Sequence, residues 1–102
     1  MAGTRLDRDT VIRSLRAHEA EFQAQGVSHI YLFGSLARGE ADEESDIDLF
    51  YDYDSARFGL RQFMSLREIM PGIVGRPVDI MPRNGLHPLI RDEVVADAIQ
   101  IF

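Results

Sequence analysis

Three aspartates in strand-like settings carry most of the chemistry this chain can offer. Asp46 and Asp48 alternate with Ile47 and Leu49, and Asp79 sits between Val78 and Ile80. Side chains two residues apart on a strand point to the same face, so Asp46 and Asp48 project together while Ile47 and Leu49 turn into a core. A lone carboxylate between apolar neighbours is costly to bury. If the strands that hold these residues are adjacent, the three carboxylates converge and push pKa values up. Divalent cations relieve that repulsion. Oxygen donors without His or Cys favour Mg²⁺, or Mn²⁺ in its place, and two such ions suit an in-line displacement at phosphorus. Taken alone, the 46/48 pair fits an exposed strand face equally well. Gly34 and Ser35 ahead of it change the balance. Glycine lets the backbone approach a ligand closely, the amides of the turn that follows point outward, and the Ser35 hydroxyl adds a donor.

The elements that must position these groups follow from periodicity. Residues 7–25 read as a helix with Val11, Leu15, His18 and Phe22 on one face, Asp7 as N-cap, Leu6 stapled onto Val11, and Gly26 as the stop. Residues 27–33 form a β-rich run, and residues 36–38 give one helical turn closed by Gly39. A second strand is expected over 46–53. A helix over 60–70 follows, using Leu60, Phe63, Met64, Leu66, Ile69 and Met70 and ended by Pro71 and Gly72. A third strand spans 76–81, with Pro77 at its start and Pro82 closing it. A last helix over 87–98 uses Leu89, Ile90, Val94 and Ala98, and 99–102 adds an edge strand. This order describes an α+β, two-layer domain: a small mixed sheet of three to four strands flanked by helices.

Composition narrows the function classes. A chain of 102 residues has room for one domain, 1–102. Without cysteine there are no disulfides, thiolate–zinc sites or thiol nucleophiles. No apolar run suits a membrane span, and none follows residues 1–5, so no secretory signal is expected and a cytoplasmic location is. A net charge of −6 argues against direct nucleic-acid binding. Glu40, Asp42, Glu43, Glu44, Asp46, Asp48, Asp52 and Asp54 form a run with no basic residue among them, and its part up to Glu44 reads as a solvated loop. Arg38 can reach a phosphate or pair with Glu40 or Glu44. Ser45 can donate to a nucleotide or cap the strand. His18, His29 and His87 lack ligand spacing, and Tyr51 and Tyr53 are read as packing residues.

Gly34-Ser35, ten intervening residues, Asp46-Ile47-Asp48 and then Val78-Asp79-Ile80 resemble the signature of the DNA polymerase beta-like nucleotidyltransferase superfamily. Gly34-Ser35-Leu36-Ala37-Arg38-Gly39 with Ser45-Asp46-Ile47-Asp48-Leu49 is similar to its minimal nucleotidyltransferase branch. The resemblance implies the nucleotidyltransferase fold, with Asp46 and Asp48 ligating both Mg²⁺ ions. Asp79 would complete one metal site and help deprotonate the attacking hydroxyl, while Gly34 and Ser35 hold the β- and γ-phosphates of ATP. Small members commonly act as antitoxins beside HEPN-type ribonuclease toxins, which implies adenylyl transfer to a tyrosine of such a toxin. Larger members bind the base or acceptor with a second domain. Here the acceptor is expected from another chain, in a homo- or hetero-oligomer. Two other readings remain open: an antitoxin that neutralises its partner by binding alone, and a transferase acting on a small molecule such as an aminoglycoside.

Overall fold

The β-branched and aromatic residues that follow Gly26 form strand β1 (Val27–Phe33), an inner strand of a four-stranded sheet. The structure, a computed structural model, describes residues 7–42 and 44–102. The opening residues, the expected staple from Leu6 and Glu43 of the acidic run lie outside the described residues. With β2 (Ile47–Tyr53), β3 (Val78–Pro82) and β4 (Ile99–Gln100), the sheet order is β3-β2-β1-β4. β1 runs antiparallel to β2 and β4, whereas β2 and β3 are parallel. A parallel pair needs a crossover rather than a hairpin, and α4 (Leu60–Val74) supplies it. The mixed sheet and its helices are of the α+β class the element order implies.

Two helices, α1 (Arg8–Arg16) and α2 (Glu19–Ala24), replace the single helix expected over 7–25. Asp7 caps α1, accepting the Asp9 amide at 3.1 Å and the Thr10 hydroxyl at 2.8 Å. The break falls at His18. Its Nδ1 donates to the Ser14 carbonyl at 2.9 Å, the acceptor a continuing helix would offer to the His18 amide, and that amide turns to Leu15 instead. Gly26 then closes the segment at φ +99°, where a Cβ would press on Arg57 and Phe58.

The core lies on one sheet face. Ile30 and Leu32 of β1, Ile47, Leu49 and Tyr51 of β2 and Ile80 of β3 pack with Val11, Leu15, Phe22, Leu66 and Met70. α4 continues past Pro71, where the sequence places a stop. Proline removes one helical donor, but Ile73 and Val74 still pack on the core, and Gly75 closes the helix at φ +73° with its amide on the Pro71 carbonyl. The same helix corrects the expected apolar face. Leu66 is fully buried, while Leu60 and Met64 are 75% and 55% exposed.

After β3 come a single 3₁₀ turn (Arg83–Gly85) and α5 (Arg91–Asp97). α5 begins later than position 87, since Pro88 disfavours helical backbone at His87. Leu89 and Ile90 are therefore exposed rather than core. Arg16 Nε donates to the Ile101 carbonyl at 2.7 Å and ties α1 to the chain beyond β4. Among the described residues, no helix is long and apolar enough to cross a membrane.

The orientation of α4 is checked by two truncations. Leu66→Ala should destabilise by about 2–5 kcal/mol and Leu60→Ala by no more than about 0.5 kcal/mol, each read from urea unfolding midpoints.

Candidate active site

Strand register brings two of the three predicted aspartates side by side. Phe33 pairs with Asp48 across β1 and β2, and Asp48 pairs with Asp79 across β2 and β3. In-register parallel neighbours point their side chains to one face, about 4.8 Å apart at the backbone. Asp48 and Asp79 therefore stand side by side on the face opposite the core. The strand begins at Ile47, so Asp46 lies one residue ahead of it, exposed at the lip of the sheet. Its neighbours are fastened: the Ile47 amide donates to the Pro77 carbonyl at 3.0 Å, and Arg76 Nη2 donates to the Ser45 carbonyl at 2.9 Å.

Electrostatics records the convergence. Burial holds the Asp48 carboxyl above the ordinary carboxylate range, and the charges of Asp79 and Asp46 push the same way, while Arg38 opposes them. Gly34 adds a geometric constraint. It sits at φ +78°, and a Cβ there would lie 3.1 Å from Asp48 Cγ and 3.2 Å from its Cβ, with Oδ2 nearer still. The missing side chain is thus the space the Asp48 carboxylate occupies. The backbone then enters the one-turn helix α3 (Gly34–Ala37), with Ser35 half-buried in that turn. A turn this short has almost no macrodipole, so what it offers an anion is its local unpaired amides. Arg8 Nη1 anchors the far end through the Ala37 carbonyl at 2.7 Å, and Gly39 follows at φ +75°.

The remaining candidates are placed as follows. Arg38 pairs with Glu40 at 3.0 Å, both partly exposed. Such pairs are weakly held, which leaves Arg38 able to exchange partners. The Ser45 hydroxyl is engaged in its own loop, donating to Asp42 Oδ1 at 3.1 Å and accepting the Asp42 amide at 3.0 Å. Tyr51 faces the core, its hydroxyl pushed up to about 12 by burial and then by Tyr53.

The sequence did not reveal a second group on the carboxylate face. Asp48, Phe50 and Asp52 share that face by alternation. Arg83 grips Asp52 through two bonds of 2.8 and 2.9 Å while its guanidinium lies 5.0 Å from the Tyr31 ring and 5.1 Å from the Phe50 ring. Tyr31 and Phe50 stack at 4.7 Å. The Arg83 bonds hold the Asp52 carboxyl below its ordinary range. This contact joins residues 31 apart in the chain, a distance over which no local pattern signals.

In donor chemistry the three aspartates fit a hard divalent cation, and the charges of Asp79 and Asp46, which add to burial in raising the Asp48 carboxyl, are charge that such a cation would neutralise. Among the described residues, no three His, Cys, Asp or Glu side chains are gathered closely enough to hold a metal ion as they stand.

A carboxyl with a raised native pKa favours the fold only when protonated, so its contribution is complete below 3.8 and is lost as pH rises through the native value. Asp48→Asn should therefore melt higher than the parent at pH 7 in EDTA, and the gap should close as pH falls toward 3.8. Equal melting temperatures at pH 7 would refute the raised Asp48 pKa.

Comparison with known proteins agrees with this fold. Residues 15–101 match the nucleotidyltransferase domain family. Protein adenylyltransferase MntA of Thermococcus cleftensis is 33% identical over 88 residues, covering 85% of this chain and 88% of that protein. A Methanocaldococcus jannaschii protein, provisionally named a protein adenylyltransferase, is 32% identical over 77 residues, covering 76% and 82% of the two chains. A solved structure provisionally named a minimal nucleotidyltransferase superposes with a TM-score of 0.77 at 36% identity, over 95% of this chain and 98% of that one. A chain of a toxin–antitoxin crystal structure with AMP-PNP shares the fold at a TM-score of 0.66 and 22% identity, over 95% and 73%. The chain belongs to the nucleotidyltransferase domain family and is an enzyme of the minimal nucleotidyltransferase type.

Proposed function

We propose that this nucleotidyltransferase moves AMP from ATP to a tyrosine hydroxyl of a HEPN-type toxin, and so acts in the cytoplasm as that toxin's antitoxin. The observation that carries the reading is the register of Asp48 with Asp79, with Gly34 pressed against the Asp48 carboxylate. The name of a relative 33% identical, protein adenylyltransferase MntA, supports the protein acceptor. The same name, in a solved MntA-HpeT toxin–antitoxin pair of this fold, supports the toxin partner.

The residues divide the work. Gly34 lets the backbone come against the β- and γ-phosphates, and the α3 amides and the Ser35 hydroxyl donate to them. Arg38 exchanges Glu40 for phosphate charge, and Ser45 keeps the loop before Asp46 closed. Asp46, Asp48 and Asp79 would hold two Mg²⁺ ions, or Mn²⁺ in their place. Such ions would supply Lewis acidity toward the attacking hydroxyl and positive charge against the transferred group. Asp79, exposed beside Asp48, accepts the hydroxyl proton. The oxygen bonds to the α-phosphorus as the bond to pyrophosphate breaks. The partner chain supplies the acceptor.

Neutralisation by binding alone is a second reading, favoured because no three acidic or histidine side chains among the described residues are placed to hold a metal ion. Intact mass of the partner toxin after incubation with ATP and Mg²⁺ separates the two. A gain in units of AMP is expected. Tight binding with unchanged mass would favour the second reading, and AMP appearing on an added aminoglycoside instead would identify a small-molecule acceptor. Asp48→Asn should abolish the mass gain without unfolding the chain. Gly34→Ala, which displaces the Asp48 carboxylate, should lower kcat about a hundredfold.

A further inference from the structure

We infer that Arg76 is a positioning residue for Asp46, tying the loop that carries it to the strand that carries Asp79. Asp46 lies outside the β2 ladder, at the end of an acidic stretch that includes Asp42 and Glu44. Repulsion from Asp48 and Asp79 drives such a residue outward. Two bonds bracket it, and both come from the segment that leads into β3. On one side Arg76 Nη2 donates to the Ser45 carbonyl at 2.9 Å and lies 3.5 Å from the Asp42 carbonyl. On the other the Ile47 amide donates to the Pro77 carbonyl at 3.0 Å. The second bond is backbone to backbone and survives any side-chain change. The first is charge-assisted, hence stronger than a neutral bond, and depends wholly on Arg76.

The loop that Arg76 grips is already shaped. Ser45 Oγ and the Glu44 amide both donate to Asp42 Oδ1, at 3.1 and 2.9 Å, and the Ser45 amide donates to the Asp42 carbonyl at 3.2 Å. One guanidinium on the Ser45 carbonyl therefore fixes the whole turn. Arg76 also precedes Asp79 by three residues, so the strand that sets Asp79 sets Asp46 with it. The consequence for metal rests on the function proposed above; the tie itself does not.

The test compares the full chain with Arg76→Ala and Arg76→Lys. In metal-free protein, Arg76→Ala should speed amide exchange at Glu44 and Ser45 about tenfold, with core amides such as Leu49 unchanged. Titrated with Mn²⁺ alone and followed by electron paramagnetic resonance, Arg76→Ala should need about tenfold more metal for half-saturation. Arg76→Lys, which keeps a charged donor, should recover most of both effects. Unchanged exchange at Glu44 and Ser45, or an unchanged Mn²⁺ midpoint in Arg76→Ala, overturns the inference. If the parent chain takes up no Mn²⁺, the metal reading of the site fails, while faster exchange reversed by lysine still supports the tie.

Discussion

Parallel pairing of β2 with β3 sets Asp48 opposite Asp79, and like charges across adjacent strands repel. The pairing holds because of what lies behind it. Ile47, Leu49 and Ile80 are buried on the reverse face of the same two strands, and each buried side chain of this kind contributes roughly 1.5–3 kcal/mol. A slip of one residue would turn those apolar groups to water and the carboxylates into the core. The core face therefore dictates a register that the carboxylate face, left to itself, would oppose. The metal role proposed for these carboxylates needs this conflict, since carboxylates free to separate would present no concentrated charge to a cation.

The two faces of the sheet are consequently unlike. One packs on α1, α2 and α4 through a single apolar cluster. The other carries the carboxylates at one end and, further along β2, the fully buried Phe50 beneath Tyr31 and Arg83. Arg83 is held on both sides, by Asp52 oxygens and by the faces of two rings, so a charged residue here does structural work.

Much of this was legible in the sequence, for identifiable reasons. β1 has the expected bounds because its β-formers are flanked by Gly26 and Gly34, both at positive φ. Asp48 and Asp79 were readable because alternation fixes which way a strand residue points. Helix limits were less readable. His18 breaks a periodic run through its own ring, Pro71 fails to stop α4 because Ile73 and Val74 have a core to reach, and Leu60 and Met64 keep helical spacing yet face outward. Arg76 and Arg83 gave no signal, since their partners lie 31 residues away in each case.

The margins of the sheet have a bearing on solubility. A free strand edge can template pairing with other chains, and proline or brevity blunts it. β3, at one margin, is five residues long, preceded by Pro77 and ending in Pro82. β4, at the other, is two residues long, and Arg16 occupies the carbonyl just beyond it. Neither border offers a long ladder of unclaimed amides, so the sheet presents little template for strand pairing between molecules.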